Sequence, residues 1–426
     1  MRSNCVCKTL GILLALLMVL TVLPIFSPPA YAAESTVASF SDLQNAVTGA
    51  ATDGTQTVIK VRTNITVPSG ISIPAGAKVL ITSENPESPA VITAGFAGYM
   101  LTATSAELML TDIIIDGGGA GFGASNAAAV YSNLGTVTIG SGAVIQNNFN
   151  SGNGGGVFVE RGKIVLDGGI IRNNAANNGG GLAILRDGGE IIIRSGVISG
   201  NTATTQGGGV FVSADCKLTM SGGEIVNNTA STGNGGGVAV ISTNSSFTIT
   251  DGLIADNKAE NAGDGGGGVY LTGGGAMTKY NMIGGVITGN SSTRGGGVFF
   301  GSGTHSVGGG IIEKNTAKTD GSWATALGTV NITGNVAIPD SEEFYVQHGN
   351  CIVSSDGVLV LRGTVAGRIT NNGAVIVIND KGFVTGVVSP NPAQYEDETA
   401  APTIPHPIIA ISNKISTPLC FFRLCI

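Results

Sequence analysis

Hydrolysis of a glycosidic bond uses two carboxyl groups held ~5 to 10 Å apart, and a calcium site needs several oxygen ligands converging on one point. The densest acidic group in this chain is Asp340, Glu342 and Glu343, and its Pro-Asp-Ser-Glu-Glu setting reads as a solvated loop rather than a metal site. His348 and Gly349 form a lone His-Gly pair that reads as an incidental turn, and His305 stands alone in a glycine-rich stretch, so neither takes a catalytic role. Glu160 with Arg161, Arg186 with Asp187, and Asp215 do not recur as an aligned acidic column and read as turn charges. The glycine-rich run over 117–123 follows no βαβ pattern, so a wide turn is expected there rather than a phosphate loop. The sequence thus presents no catalytic set, no metal ligands and no cofactor motif.

Cys216, Cys351, Cys420 and Cys425 have neither metal-ligand spacing nor the density of a disulfide scaffold. On the repeat reading below, Cys216 and Cys351 lie about five coils apart, ~24 Å at ~4.8 Å per coil, and are expected as buried small apolar residues. The formal net charge of −7 argues against nucleic acid or an anionic membrane surface as a partner.

The elements that would position any site are legible in the repeats. Sixty-eight glycines, 12% charged and 42% hydrophobic residues suit neither a globular enzyme nor a disordered glycine-rich chain, so the apolar residues belong in something regular. A glycine triplet followed by a short apolar strand recurs as Gly154-Gly155-Gly156-Val157-Phe158-Val159, Gly179-Gly180-Gly181-Leu182-Ala183-Ile184 and Gly207-Gly208-Gly209-Val210-Phe211-Val212. It returns at Gly235, Gly266 and Gly295, a solenoid-like interval. In phase with it runs an Ile- or Val-led segment ending in asparagine, as in Ile171-Arg172-Asn173-Asn174 and Ile225-Val226-Asn227-Asn228. Between the two lies a third apolar strand, at 163–166, 190–193, 217–220 and 247–250.

Three strands and three turns per coil, with glycine and asparagine at the sharp corners and β-branched residues between, specify an all-β, right-handed, single-stranded parallel β-helix of about twelve coils. Asn148, Asn174, Asn201, Asn228, Asn257, Asn290 and Asn315 recur at one position per coil, where they either stack into a hydrogen-bonded ladder or each satisfy their own turn. If Val157 and Val159 point inward, Phe158 points out. The same parity puts Tyr131, Phe158, Phe211, Tyr270 and Phe299 in one external column, interrupted by Ala183 and Ala239; such rings either stack on sugars or anchor a protein, or they only pack on each other.

Four segments follow. Residues 1–32 read as an export signal, with Arg2 and Lys8, an apolar run over 11–26, and a small-x-small site at Ala30-Tyr31-Ala32. Residues 33–56 form a cap segment in which Ser41 caps a short helix whose Leu43, Ala46 and Val47 lie on the first coil. The β-helix occupies 57–388, and 389–426 is a proline-rich linker with a short tail, expected as the remnant of something longer or as a small appendage, without a stable membrane span.

On the Gly-Gly-Gly-Val-Phe-Val and Ile-x-x-Asn copies quoted above, the chain resembles the right-handed β-helix repeats of the pectate-lyase-like superfamily. It is similar in particular to adhesin-like repeats of bacterial surface proteins and to the Gly-Gly-Ala-Ile and Phe-x-x-Asn repeats of polymorphic outer-membrane proteins. The resemblance covers about residues 40–388. It implies a secreted or cell-surface rod that binds a polysaccharide or a host or neighbouring-cell protein along its lateral face, with polysaccharide lyase or glycoside hydrolase activity as the alternative. Autotransporter members of the group end in a membrane barrel, for which this chain has no length left.

Overall fold

The computed structural model describes residues 33–396 apart from 119–126, 261–262, 264, 274–277, 339–342, 348–349, 379–381, 385–387 and 392. The export signal, most of the glycine-rich run at 117–123, Asp340, Glu342, His348, Gly349 and the tail from 397 onward therefore lie outside the described residues.

Successive side chains of each short strand point alternately into the lumen and out of it, and a rise of one strand spacing per turn brings equivalent residues into register. The result is an all-β parallel solenoid of about eleven turns, against the twelve expected, with a single helix among the described residues. Its first face contains Lys78–Ser83, Glu107–Leu110 and Gly135–Gly140 and continues through Lys279–Met282, Thr304–Val307 and Thr329–Ile332. Its second face contains Val91–Ala94, Ile114–Asp116 and Val144–Gln146 and continues through Val286–Thr288 and Ile311–Glu313. In the middle of the rod the two faces fuse, so that Gly162–Arg172, Glu190–Ser199, Lys217–Val226 and Ser246–Ala255 each run through both. The bend within each fused strand falls on Gly168, Gly196, Gly223 or Gly252, at φ of 96°, 97°, 78° and 111°, a region that disfavours every side chain.

The third face is one uninterrupted ladder from Ile71–Ile73 through Val157–Val159, Leu182–Ile184 and Val210–Val212 to Phe383–Val384. Between the second and third faces the structure adds a fourth, short ladder that the three-strand reading missed: Phe149–Asn153, Ala175–Asn178, Thr202–Gln206 and four two-residue strands down to Thr316–Ala317. Apart from Phe149 its residues are small or polar, so no hydrophobic period marks it in the sequence.

The glycine triplet enters the third face, and each position has its own constraint. The first, Gly207, sits at φ 66°. A Cβ on the second, Gly208, would lie 2.3 Å from the carbonyl of Gly236 and 2.6 Å from the backbone of Thr229 in the next turn. A Cβ on the third, Gly209, would lie 3.1 Å from the Asn228 amide nitrogen. Parallel turns approach too closely at this corner for any side chain but hydrogen.

Both ends differ from the expected boundaries. Ala33–Val37 already pairs in parallel with Gln56–Val61, so the ladder starts within the cap segment. The helix α1, Phe40–Thr48, lays Leu43 and Val47 fully buried on the first turns, with Ala46 packed beside them. Its N-cap is Ser39 rather than Ser41: Ser39 Oγ accepts from Asp42 N at 3.2 Å and donates to Asp42 Oδ2 at 2.7 Å. At the other end Val388–Pro390 pairs with Ile369–Asn371 and Gln394–Glu396 with Ala374–Ile378, so solenoid pairing continues past residue 389, where the linker was placed.

Candidate functional site

The outward side chains of the third face stand in one register: Tyr131 opposite Phe158, Phe158 opposite Ala183, Ala183 opposite Phe211, Phe211 opposite Ala239, Ala239 opposite Tyr270, Tyr270 opposite Phe299. Val157 and Val159 belong to the lumen core, while Phe158 and Phe211 form a separate cluster with Ala128, Ala183 and Ala239, and Tyr270 and Phe299 a second with Ala324. The rings are thus on the outer side of the strand, yet they are not an exposed row. Phe158 is 8% exposed, Phe211 4%, Tyr270 5% and Phe299 1%.

Two features close them off. Ala183, Ala239 and Ala324 leave room beside Phe158, Phe211, Tyr270 and Phe299, and all the rings but Phe211 pack on another ring. Tyr131 is held between Tyr99, 4.7 Å away and nearly parallel, and Phe158 at 5.6 Å. Tyr270 stacks on Phe299 at 5.5 Å, and the Arg294 guanidinium lies 5.1 Å over the Phe299 ring. An open stacking surface for sugar rings is therefore corrected to a sealed aromatic strip. Its accessible end is Tyr99 and Tyr131, both half-buried, where Tyr131 Oη donates to Glu160 Oε2 at 3.1 Å. Burial, then the Glu160 carboxylate, raises both phenol pKa values. Tyr99 lies outside the repeat, in the loop before the strand Leu101–Thr104, and no periodic signal points to it.

The seven asparagines form a buried ladder. Asn148 Nδ2 donates to Asn174 Oδ1 at 2.9 Å, and the link repeats from Asn174 to Asn201, Asn201 to Asn228, Asn228 to Asn257, Asn257 to Asn290 and Asn290 to Asn315 at 2.9 to 3.0 Å. Each Oδ1 from Asn174 to Asn315 also accepts the backbone N–H of the asparagine one turn earlier. Each second amide hydrogen in that series goes to an isoleucine carbonyl, as in Asn228 Nδ2 to Ile198 O at 2.9 Å. The left-handed corner residue is the one before: Asn147, Asn173, Gly200, Asn227, Asp256, Gly289 and Lys314, at φ between 54° and 67°.

A second set of buried polar groups lies in the lumen. Tyr280 and His305 follow Leu218 and Phe247 in the inward column of the first face, and Val330 and Cys351 come after them. Tyr280 Oη, His305 Nδ1 and Thr325 Oγ1 are buried without a hydrogen-bond partner, and His305 Nε2 lies 3.1 Å from Ser302 O. Burial drives the His305 pKa down to about 4 and pushes the Cys216 and Cys351 thiols up to about 11 and about 12. Both cysteines are free and lie in the core.

The outward faces of the first two ladders hold what the parity argument did not pursue. On the first face Leu80, Met109, Thr138, Val165 and Ile192 are successive partners; on the second Val91, Ile114, Val144, Ile170 and Val197 are. All but the buried Val165 are half-exposed. After Ile192 the first-face column turns polar, through Thr219, Thr248, Asn281 and Ser306. The turn charges pair across turns, Arg161 with Asp187 at 2.5 Å and Lys163 with Glu190 at 3.0 Å. Among the described residues no three His, Cys, Asp or Glu side chains are grouped to hold a metal, and no helix is long and apolar enough to cross a membrane.

Searches with the whole chain find no matching protein family, no matching curated protein and no matching solved structure.

Proposed function

We propose that this chain is an extracellular, non-catalytic rod that holds a protein on a neighbouring or host cell against the side of its N-terminal half. The observation that carries this is the continuous second-face column of half-exposed aliphatic side chains at Val91, Ile114, Val144, Ile170 and Val197, which ends against Glu224 on the next turn, flanked on the first face by Leu80, Met109 and, beyond Thr138 and the buried Val165, Ile192. Contiguous apolar surface on a soluble protein is a recurrent mark of protein contact. Flat aliphatic columns suit that contact better than sugar recognition, for which ring faces are the usual platform, and here Phe158, Phe211, Tyr270 and Phe299 are buried and Tyr131 is stacked on Tyr99. Extracellular placement rests on the basic, apolar and small-residue pattern of residues 1–32.

Cell-surface binding of the secreted chain, measured beside an Ile114→Ser/Ile170→Ser variant and a panel of polysaccharides, tests the proposal. Saturable binding to cells that the variant loses by tenfold or more is the expected result. Binding that the variant retains would place the contact elsewhere, and sugar release from any polysaccharide would replace the rod with an enzyme.

A further inference from the structure

His305 is wholly buried in the lumen, one turn below Tyr280 and one turn above Val330. Its ring lies 5.1 Å from Phe300 on the third face. Thr325 is the partner of Phe300 in the next turn, and Ile287 and Ile312 supply the lumen side chains of the second face in the same turns. The titratable side chains on this inward column are Tyr280 and, two turns on, Cys351; burial holds both neutral. Among the described residues no carboxylate or cationic side chain acts on the His305 ring, and the one hydrogen bond of that ring is to the Ser302 carbonyl. An imidazolium here would have no counter-charge and one of its two N–H groups would have no acceptor.

We propose that His305 is an acid-sensitive joint in the rod, whose protonation opens the turns around residues 279–332 while the turns before residue 246 stay closed. The direction follows from linkage. The opened chain binds the proton with the ordinary histidine pKa of about 6.5, the closed chain only near the depressed value, so closure is favoured above the first value and loses ground as pH falls toward the second. Between pH 7 and pH 5 the opening equilibrium rises about twentyfold. A solenoid localises such an event, because each turn contacts only its neighbours.

Hydrogen exchange of the full chain, read fragment by fragment as protection factors at pH 7 and pH 5, tests this. Strands Lys279–Met282, Thr304–Val307 and Thr329–Ile332 are expected to lose about twentyfold protection in the native chain, whereas Gly162–Arg172 and Glu190–Ser199 keep theirs. In His305→Val, which places in this turn the residue the next turn carries at Val330, the pH-dependent loss disappears; His305→Gln, polar and uncharged, gives the same result if the valine variant does not fold. Equal loss in the variants, no loss in the native chain, or a loss spread over every turn would each overturn the proposal.

Discussion

Two columns of buried polar side chains run along this rod on opposite terms. In the asparagine ladder each interior amide gives two hydrogen bonds and accepts two, because the same residue recurs in register on the turns above and below. In the lumen Tyr280 and His305 also occupy successive turns of one column, but each is a different residue from its neighbours, and both keep a polar atom without a partner. Repetition satisfies a buried polar group in a parallel solenoid, since the turn that creates the need also supplies the partner. A polar group that occurs once has no such supply and costs stability.

The largest expected effect lies on the satisfied side. Asn228→Ala strands the Asn201 backbone N–H, one Asn201 amide hydrogen and the Ile198 carbonyl, and should destabilise the rod by about 3 to 5 kcal/mol in denaturant unfolding. A loss under about 1 kcal/mol would break the comparison. The unsatisfied side predicts the opposite sign: Tyr280→Phe removes a hydroxyl with no partner and should stabilise by about 1 kcal/mol in the same assay. Destabilisation there would mean that the hydroxyl is satisfied after all. Smallest is the effect of in-register pairing without burial. Lys163→Met breaks the ion pair with Glu190, both about two-fifths exposed, and should change stability by less than about 0.5 kcal/mol, less still in high salt.

The parts of this molecule legible in the sequence are those fixed by repetition. Register follows from the in-phase signatures, so Tyr131, Phe158, Phe211, Tyr270 and Phe299 fall on the outer side of their strands in one line. Parity assigns a side to each ring, but burial depends on what flanks it; the alanines stand in the column itself, whereas Tyr99 and Arg294, which help close the strip, are not part of any period. The asparagine column was visible, whereas its alternatives, a ladder or seven independent turns, differ only in geometry. The positive-φ corner fell one residue earlier than the asparagine that marks it, on residues as unlike as Gly200, Asp256 and Lys314. The cap of α1 slipped by two residues because Ser39 and Ser41 offer the same chemistry and only the backbone decides between them. The aliphatic columns of the first two faces are apolar on both sides of the strand, a pattern that hides which side is out.

The ladder itself is tested most directly by a double-mutant cycle on neighbouring turns, Asn201→Ala and Asn228→Ala, with Asn148→Ala and Asn290→Ala as a distant pair. Bonds between the amides predict that the neighbouring pair costs at least about 1 kcal/mol less together than the sum of its single variants, while the distant pair adds. Strict additivity for Asn201 and Asn228 would mean that each asparagine serves only its own turn, and would contradict the account.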